Sequence, residues 1–198
     1  MAFVEPVDDP PERVLVARER ILDAAYELFS RHGVRVVGVN RIIAESGVAK
    51  MTFYRYFPSK ADLILAFLDV RRQRWTHDWL LTEVQRMAST PRERTLAFFG
   101  ALDRWFHTDD YDGCAFIATL LEVHDTTDPI HREAARQLEL IRAIVQDQAE
   151  QAGLRDPENT AYQLQILMMG AIVSATRGDR GAARRAGEIA RMLVDSKS

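Results

Sequence analysis

Cysteine, glycine and proline are all scarce in this 198-residue sequence, which contains one, ten and seven of them respectively. The single cysteine, Cys114, excludes an internal disulfide and a zinc site built from several cysteines. The scarcity of turn-forming residues disfavours all-β architectures, in which tight turns are dense. No apolar run approaches the roughly 20 residues of a membrane helix, and the opening residues are acidic and proline-rich, unlike a signal peptide. We therefore expect a soluble, cytoplasmic protein that does not enter a membrane.

Patterns that would indicate catalysis or metal binding are also missing from the sequence. The histidines form no His-x-x-x-His pair, and no carboxylate lies at a spacing from them that is typical of a metal site. No Ser-His-Asp or Cys-His arrangement and no glycine-rich phosphate loop can be identified. The sequence thus predicts neither an enzyme nor a bound metal or cofactor.

Charge is distributed unevenly along the chain, whose overall composition is that of an ordinary globular protein. The whole sequence carries a net charge of −3, yet residues 12–62 contain nine lysines and arginines against six acidic residues. A basic segment inside an acidic chain is a weak electrostatic indication of a polyanionic partner.

Apolar residues recur at helical spacing almost throughout, and this pattern predicts an all-α protein of about nine helices. Gly33 and Gly47 are placed to end the first two helices, since glycine readily adopts the left-handed conformation found after a helix. The third helix covers about residues 50–56 and stops before Pro58.

Capping signals mark the starts of the later helices, and they are Ser59 with Asp62, Thr90-Pro91 with Glu93, Asp128-Pro129 and Asp156-Pro157. The fourth predicted helix runs from about residue 60 past Val84, with room for a bend. The sixth covers residues 114–124, the eighth runs from 157 to near 178, and the ninth covers about 181–195.

Residues 38–57 have the layout of a helix-turn-helix, in which two short helices are joined by a tight turn at Gly47. Val48 and Phe53 are the apolar residues expected to hold the second helix against the first. The exposed arc of the second helix then contains Lys50, Met51, Thr52, Tyr54, Arg55 and Tyr56. Basic and hydroxyl groups that bind phosphate or guanine, beside apolar groups that contact thymine methyls, are typical of a DNA recognition helix.

These residues belong to a longer pattern, which reads Gly47-Val48-x-Lys50-x-Thr52-x-Tyr54-Arg55-Tyr56-Phe57-x-Ser59-Lys60 after a helix containing Ile21-Leu22-Asp23-Ala24-Ala25, Leu28-Phe29 and Gly33. The pattern resembles the TetR family of bacterial repressors. The resemblance implies a flexible arm over residues 1–11, a helix-turn-helix DNA-binding domain over 12–62, and a helical ligand-binding and dimerisation domain over 63–198. Three positions depart from the family pattern. Gly38 replaces the usual capping Ser or Thr of the second helix, and Ala49 replaces the usual Ser at the start of the third. Ile43 stands where a small residue usually lets the two helices cross closely.

The resemblance also implies roles for individual residues. The residues expected to read base edges are Lys50, Met51 and Arg55, and those expected to contact phosphate are Thr52, Tyr54 and Tyr56. Lys60 is expected to anchor the start of the fourth helix to a phosphate. Asn40, early in the second helix, is expected to reach a base or the DNA backbone.

Large aromatic side chains are concentrated in the fourth to sixth predicted helices, and methionines in the eighth. The candidate ligand-binding residues are Trp75, Trp79, Trp105, Phe116, His124 and Met168. Two interpretations stay open at this point, because these rings either line an apolar cavity or only fill the core. In the first, His124 is a possible polar anchor, and the effector is a largely apolar or aromatic molecule.

The eighth predicted helix is apolar nearly all round, and the ninth carries small residues along one side. A helix that is apolar on every side must be covered on every side, so we expect a homodimer through these two helices of each subunit. A charge at Ile172 or a bulky residue at Ala186 is expected to dissociate or unfold the protein.

The sequence therefore predicts a TetR-like transcriptional regulator that binds double-stranded operator DNA as a homodimer. The resemblance favours a repressor that a small-molecule effector releases from a palindromic operator. The alternative is a helical small-molecule-binding protein or enzyme that retains the helix-turn-helix only as scaffold. The absence of a catalytic pattern argues against the enzyme.

Overall fold

The computed structural model describes residues 11–197, with side chains from residue 16 onward. Residues 1–10, which make up nearly all of the predicted arm, lie outside the described residues. The helices are α1 (Pro11–His32), α2 (Val39–Ser46), α3 (Lys50–Tyr56), α4 (Lys60–Arg71), a π-helical segment (Arg72–Leu81), α5 (Thr82–Met87), α6 (Pro91–Phe106), α7 (Ala115–Glu122), α8 (Pro129–Gln151), α9 (Pro157–Thr176) and α10 (Ala182–Ser196).

The stretch from α4 through α5 is helical without a break, so residues 11–197 form nine continuous helices and no strand. The predicted all-α class is confirmed. Two compact units divide the chain, one ending at Phe67 and the other beginning at Leu68. Within the part of the chain that is described, no helix is long and apolar enough to span a membrane.

The first unit is organised around α1, whose apolar face is buried. Ile21 and Phe29 lie in the core together with Ile42 of α2 and Phe53 of α3. Phe67 closes this core, and its ring packs edge-on against Phe29 at a centroid distance of 5.3 Å. The apolar residues whose spacing predicts α1 therefore form the face against which α2 and α3 pack.

The turn between α2 and α3 favours glycine because of its backbone conformation. Gly47 adopts the left-handed conformation with a φ of 62°, which most side chains reach only with strain. The end of the flexible Arg20 side chain also lies beside it, so that a Cβ on residue 47 would be 2.6 Å from the guanidinium and would displace it. The predicted glycine turn is thus confirmed, and it also accommodates an arginine from α1.

The second unit is built mainly from α6, α8, α9 and α10. The start of α6 carries the predicted capping box, in which Thr90 accepts a hydrogen bond from the Glu93 backbone and Glu93 accepts one in return. Asp128 caps α8 by accepting from the backbone N–H of Ile130 at 2.7 Å. Asp156 precedes α9 as predicted, yet its side chain makes no cap and its φ is 54°.

A π-helical segment, Arg72–Leu81, interrupts the fourth helical stretch. Its hydrogen bonds run from residue i to i+5, so residues five apart come to the same side. The side chains show this spacing, since Gln73 donates to Asp78 at 2.8 Å. Sequence periodicity predicts only a possible bend here and does not reveal the wider turns.

One predicted helix end needs correction. The helix expected over residues 114–124 is α7, which ends at Glu122. His124 therefore lies in the following loop and is exposed to solvent.

Candidate DNA-binding surface and ligand cavity

The short helix α3 divides its side chains sharply between a buried and an exposed side. Phe53 is completely buried, and its ring packs against that of Phe57 at 6.2 Å, which fixes the helix on the core. On the other side, Met51 is 81% exposed. A long apolar side chain left in water on a helix fixed this firmly is available to contact a partner.

The exposed side of α3 carries the residue types that DNA contact requires. Lys50, Met51, Tyr54 and Arg55 are exposed, while Thr52 is half-buried. Four of these residues border one shallow surface depression, and they are Met51, Thr52, Tyr54 and Arg55. The structure thus brings Met51 and Arg55, two of the three predicted base readers, to one surface, while Lys50 is exposed outside this depression.

Arg55 is already ordered by its neighbour in the chain. Its guanidinium donates a hydrogen bond to the Tyr56 hydroxyl at 3.2 Å and lies 5.1 Å from the centre of the Tyr56 ring. A stacked arginine presents its remaining N–H groups in a fixed plane, which suits bidentate binding to a guanine edge or a phosphate.

Lys60 and Asn40, the predicted contacts outside α3, are placed differently. Asn40 is exposed in the first turn of α2. Lys60 is half-buried at the start of α4, where its ammonium donates to the backbone carbonyl of Arg35 at 3.2 Å. Lys60 therefore also ties α4 to the loop between α1 and α2, a bond that the sequence pattern does not reveal.

Neither α2 nor α3 has a side-chain cap, as the departures at Gly38 and Ala49 lead one to expect. An absent cap costs about 1 kcal/mol of helix stability. These short helices therefore depend on burial of Ile42 and Phe53 rather than on their own ends.

An apolar cavity of about 30 Å³ lies in the second unit. Its wall is almost entirely hydrophobic and is made by Trp75, Leu80, Phe98, Leu102, Cys114, Ile117, Leu138, Ile141, Gln165, Met168, Met169 and Ile172. This volume holds one or two water molecules, so any larger ligand must move the wall. Methionine suits such a wall, because its unbranched chain repacks easily.

Of the six predicted ligand-binding residues, two line this cavity, namely Trp75 and Met168. Trp105 stands directly behind Trp75, with 4.7 Å between their ring centres. Phe116 is buried in the core but is not part of the cavity wall.

Trp79 and His124 do not line the cavity, contrary to expectation. Trp79 is half-buried beside an open cleft that also contains Glu83 and His107. In the π-helical segment it is Leu80, five residues after Trp75, that shares the cavity wall with it. His124 lies in the loop after α7, exposed and outside the wall.

A positive charge lies close to two aromatic rings at the cavity, those of Trp75 and Trp105. The guanidinium carbon of Arg71 lies 5.9 Å from the ring centre of Trp75 and 6.0 Å from that of Trp105. Burial raises the pKa of the Cys114 thiol, and the charge of Arg71 acts in the opposite direction. The field of Arg71 therefore reaches a residue of the wall. The sequence pattern does not reveal that Arg71 lies beside these rings.

Helices α9 and α10 leave large apolar side chains in water. Ile166 and Val173 of α9 and Ile189 and Met192 of α10 are exposed, with Ile166 at 67%. Ile172 and Ala186, by contrast, are buried inside the protomer. Exposed apolar side chains are thus present on both helices that are predicted to form the dimer, α9 and α10. Ile172 and Ala186, the positions at which the sequence predicts that a substitution would disrupt the dimer, face the core of the protomer instead.

Family models recognise both parts of the chain. The model described as "Bacterial regulatory proteins, tetR family" matches residues 21–67. The model described as "Tetracyclin repressor-like, C-terminal domain" matches residues 91–190, which is half of the chain.

Individual relatives agree with these matches. An uncharacterized helix-turn-helix-type transcriptional regulator of Mycobacterium tuberculosis is 29% identical over 145 residues, covering 73% of this chain and 67% of that protein. A TetR-family transcriptional regulator from Streptomyces coelicolor is 25% identical, with a TM-score of 0.85 over 93% of this chain and 97% of that structure. A candidate TetR regulator from Streptomyces avermitilis is 30% identical, with a TM-score of 0.81 over 91% and 97%.

The helix-turn-helix, the all-helical second unit and these matches define a DNA-binding transcriptional regulator rather than an enzyme. The chain belongs to the TetR family, whose members bind operator DNA and ligands and form dimers. The predicted family is confirmed.

Proposed function

We propose that this regulator is a homodimeric repressor that leaves a palindromic operator when a small, largely apolar effector enters the cavity of the second unit. The observation that carries the proposal is α3, a helix fixed by the fully buried Phe53 and bearing an exposed surface of basic, hydroxyl and apolar groups. Such a surface fits a major groove.

On the operator, we assign base contacts to Lys50, Met51 and Arg55. Phosphate contacts are assigned to Thr52, Tyr54, Tyr56 and Lys60, and Asn40 is assigned to a base or the DNA backbone. The ammonium of Lys60 already donates to the Arg35 carbonyl at the start of α4, which fixes the position from which it would contact a phosphate.

The dimer forms through the exposed apolar side chains of α9 and α10. A two-fold axis then requires a palindromic operator with half-sites about 34–36 Å apart, or a multiple of that distance. Ile166 and Met192 are exposed in the protomer, and their burial against symmetry mates would supply the apolar core that such an interface needs.

A continuous helix gives the effector a way to influence DNA binding. One continuous helical stretch contains Lys60, proposed to bind DNA, and Trp75, which lines the cavity. An effector that enlarges the cavity must displace its wall. Such a ligand shifts the DNA-binding equilibrium only if it binds one arrangement of the wall more tightly than the other.

The test is fluorescence anisotropy on a labelled palindromic duplex selected by the protein from random DNA. Affinity should fall steeply as salt rises, because phosphate contacts release counterions. Thr52→Ala with Tyr54→Ala should weaken binding to every sequence, while Arg55→Ala should also relax the base preference. A flat salt response, or undiminished binding by the double variant, would show that α3 is not the recognition helix.

A further inference from the structure

The cavity wall contains one polar group that has no partner. The indole N–H of Trp75 is buried and makes no hydrogen bond. The side-chain amide of Gln165, also in the wall, donates to the Leu138 carbonyl at 2.7 Å. A buried donor without an acceptor costs free energy that a bound acceptor would recover.

Trp75 is held in place by neighbouring aromatic rings. Its ring lies 4.7 Å from Trp105 and 5.9 Å from Trp79, between ring centres. Trp105 is in turn fixed by Tyr111 at 4.9 Å, and the Tyr111 hydroxyl donates to the carbonyl of Ile172 at 2.9 Å. The unpartnered donor therefore sits on a ring that its neighbours orient, which is what selective recognition requires.

Electrostatics favour an acceptor at this end of the cavity. The guanidinium of Arg71 lies about 6 Å from the Trp75 and Trp105 ring centres, and its charge is felt at Cys114 in the wall. Arg71 is not itself a wall residue, so it supplies positive potential without a hydrogen bond to a ligand. The partial negative charge of a carbonyl oxygen is stabilised here, whereas a full carboxylate would lose its hydration without gaining a charged partner.

We propose that the effector is an uncharged, mainly hydrophobic molecule with one hydrogen-bond acceptor, such as a ketone or an ester, which accepts from Trp75 Nε1. This inference rests on the proposed function, because it takes the cavity to be the effector site. Phe98, Ile141 and Met168 contact the hydrophobic body of the ligand. Trp75 is the residue that distinguishes a carbonyl compound from a hydrocarbon of the same shape.

Three probes with a common phenylethyl body separate these possibilities. They are 4-phenylbutan-2-one, the isosteric hydrocarbon (3-methylbutyl)benzene, and 3-phenylpropanoate. Titration calorimetry on the full-length protein should show the ketone binding about two- to tenfold more tightly than the hydrocarbon, the range of one neutral hydrogen bond. The carboxylate should bind most weakly. Trp75→Phe should reduce the ketone preference to about one, while the control change Tyr162→Phe, at an exposed aromatic residue of α9 outside the cavity wall, should retain it.

Indole ¹⁵N–¹H spectra supply a second measurement that a merely structural role of Trp75 would not move. The protein has three tryptophans, so the signal absent from Trp75→Phe identifies Trp75. The ketone should move that proton downfield, as hydrogen bonding does, and the hydrocarbon should not.

Equal affinity for ketone and hydrocarbon, preferred binding of the carboxylate, or a ketone preference that survives Trp75→Phe would overturn the inference while leaving the cavity as effector site. If none of the three probes binds, the cavity is not the effector site, and that part of the proposed function fails with the inference. Operator binding without ligand, measured in parallel, tests the DNA-binding part separately.

Discussion

A single charge on α9 tests the dimer surface with a magnitude that the structure supplies. Ile166 is 67% exposed in the protomer, so most of its side chain is available for burial against a second copy. Full burial of an isoleucine contributes about 1.5–3 kcal/mol, so Ile166→Glu removes about 1–2 kcal/mol per subunit. With two copies in a symmetric interface, the loss is about 2–4 kcal/mol, or roughly a 30- to 1,000-fold weaker dimer.

The glutamate adds to this loss, because an unpaired carboxylate buried in an apolar interface costs several kcal/mol more. Sedimentation velocity at micromolar concentration should therefore show the wild-type protein near twice 22.6 kDa and Ile166→Glu at the monomer mass. Thermal unfolding of the variant should become independent of protein concentration, since association no longer contributes.

Two further variants separate loss of the interface from loss of the fold. Leu121→Glu replaces a leucine that is 63% exposed on α7, a helix that is not part of the proposed interface, and should remain a dimer. Ile172→Glu places its charge inside the protomer and should unfold it. The reasoning is refuted if Ile166→Glu stays dimeric, or if Leu121→Glu dissociates to the same extent.

Three other predictions follow from the described contacts. Met51→Ala should leave the melting temperature unchanged, because the side chain is exposed, yet alter the preference for thymine in competition assays with base-substituted operators. Thr90→Ala should destabilise the protein by about 1 kcal/mol in urea unfolding, and Thr90→Ser should recover most of it. The hydrogen bond from Arg86 lowers the pKa of Glu83, so its stabilisation is present at neutral pH and lost as pH falls through that lowered pKa. Glu83→Gln should thus lower the melting temperature at neutral pH and lower it by a smaller amount at acidic pH. An equal decrease in melting temperature at both pH values would contradict an ionic contribution from Glu83.

The DNA-binding unit is largely predictable from sequence because its determinants are local. Gly47 between two short apolar patterns predicts the turn, and Phe53 predicts the buried side of α3. What the sequence does not reveal are bonds between distant positions. The contacts of Arg20 with Gly47 and of Lys60 with the Arg35 carbonyl join residues 25 or more apart. No periodicity encodes them.

The cavity is less predictable, because residue type alone does not decide which side of a buried ring faces a void. The sequence predicts large rings around a cavity in the second unit, but the π-helical turns bring Leu80 rather than Trp79 to the wall. His124 falls outside because α7 ends two residues earlier. Likewise, Ile166 and Ile172 are the same residue type on the same helix. Only the packing of α9 on its neighbours determines that Ile172 is buried and Ile166 is exposed.

The π-helical segment has a consequence for how this protein could change over time. It lies between the two matched family regions, which leave residues 68–90 uncovered. In an α-helix, inserting or deleting one residue turns every later position by about 100°. A π-helical turn absorbs one extra residue locally, so a single-codon deletion between Arg72 and Trp79 could restore α-helical geometry and change which side chain stands beside Trp75. Ligand preference could then drift by length changes as well as by substitution, while the helix-turn-helix stays intact.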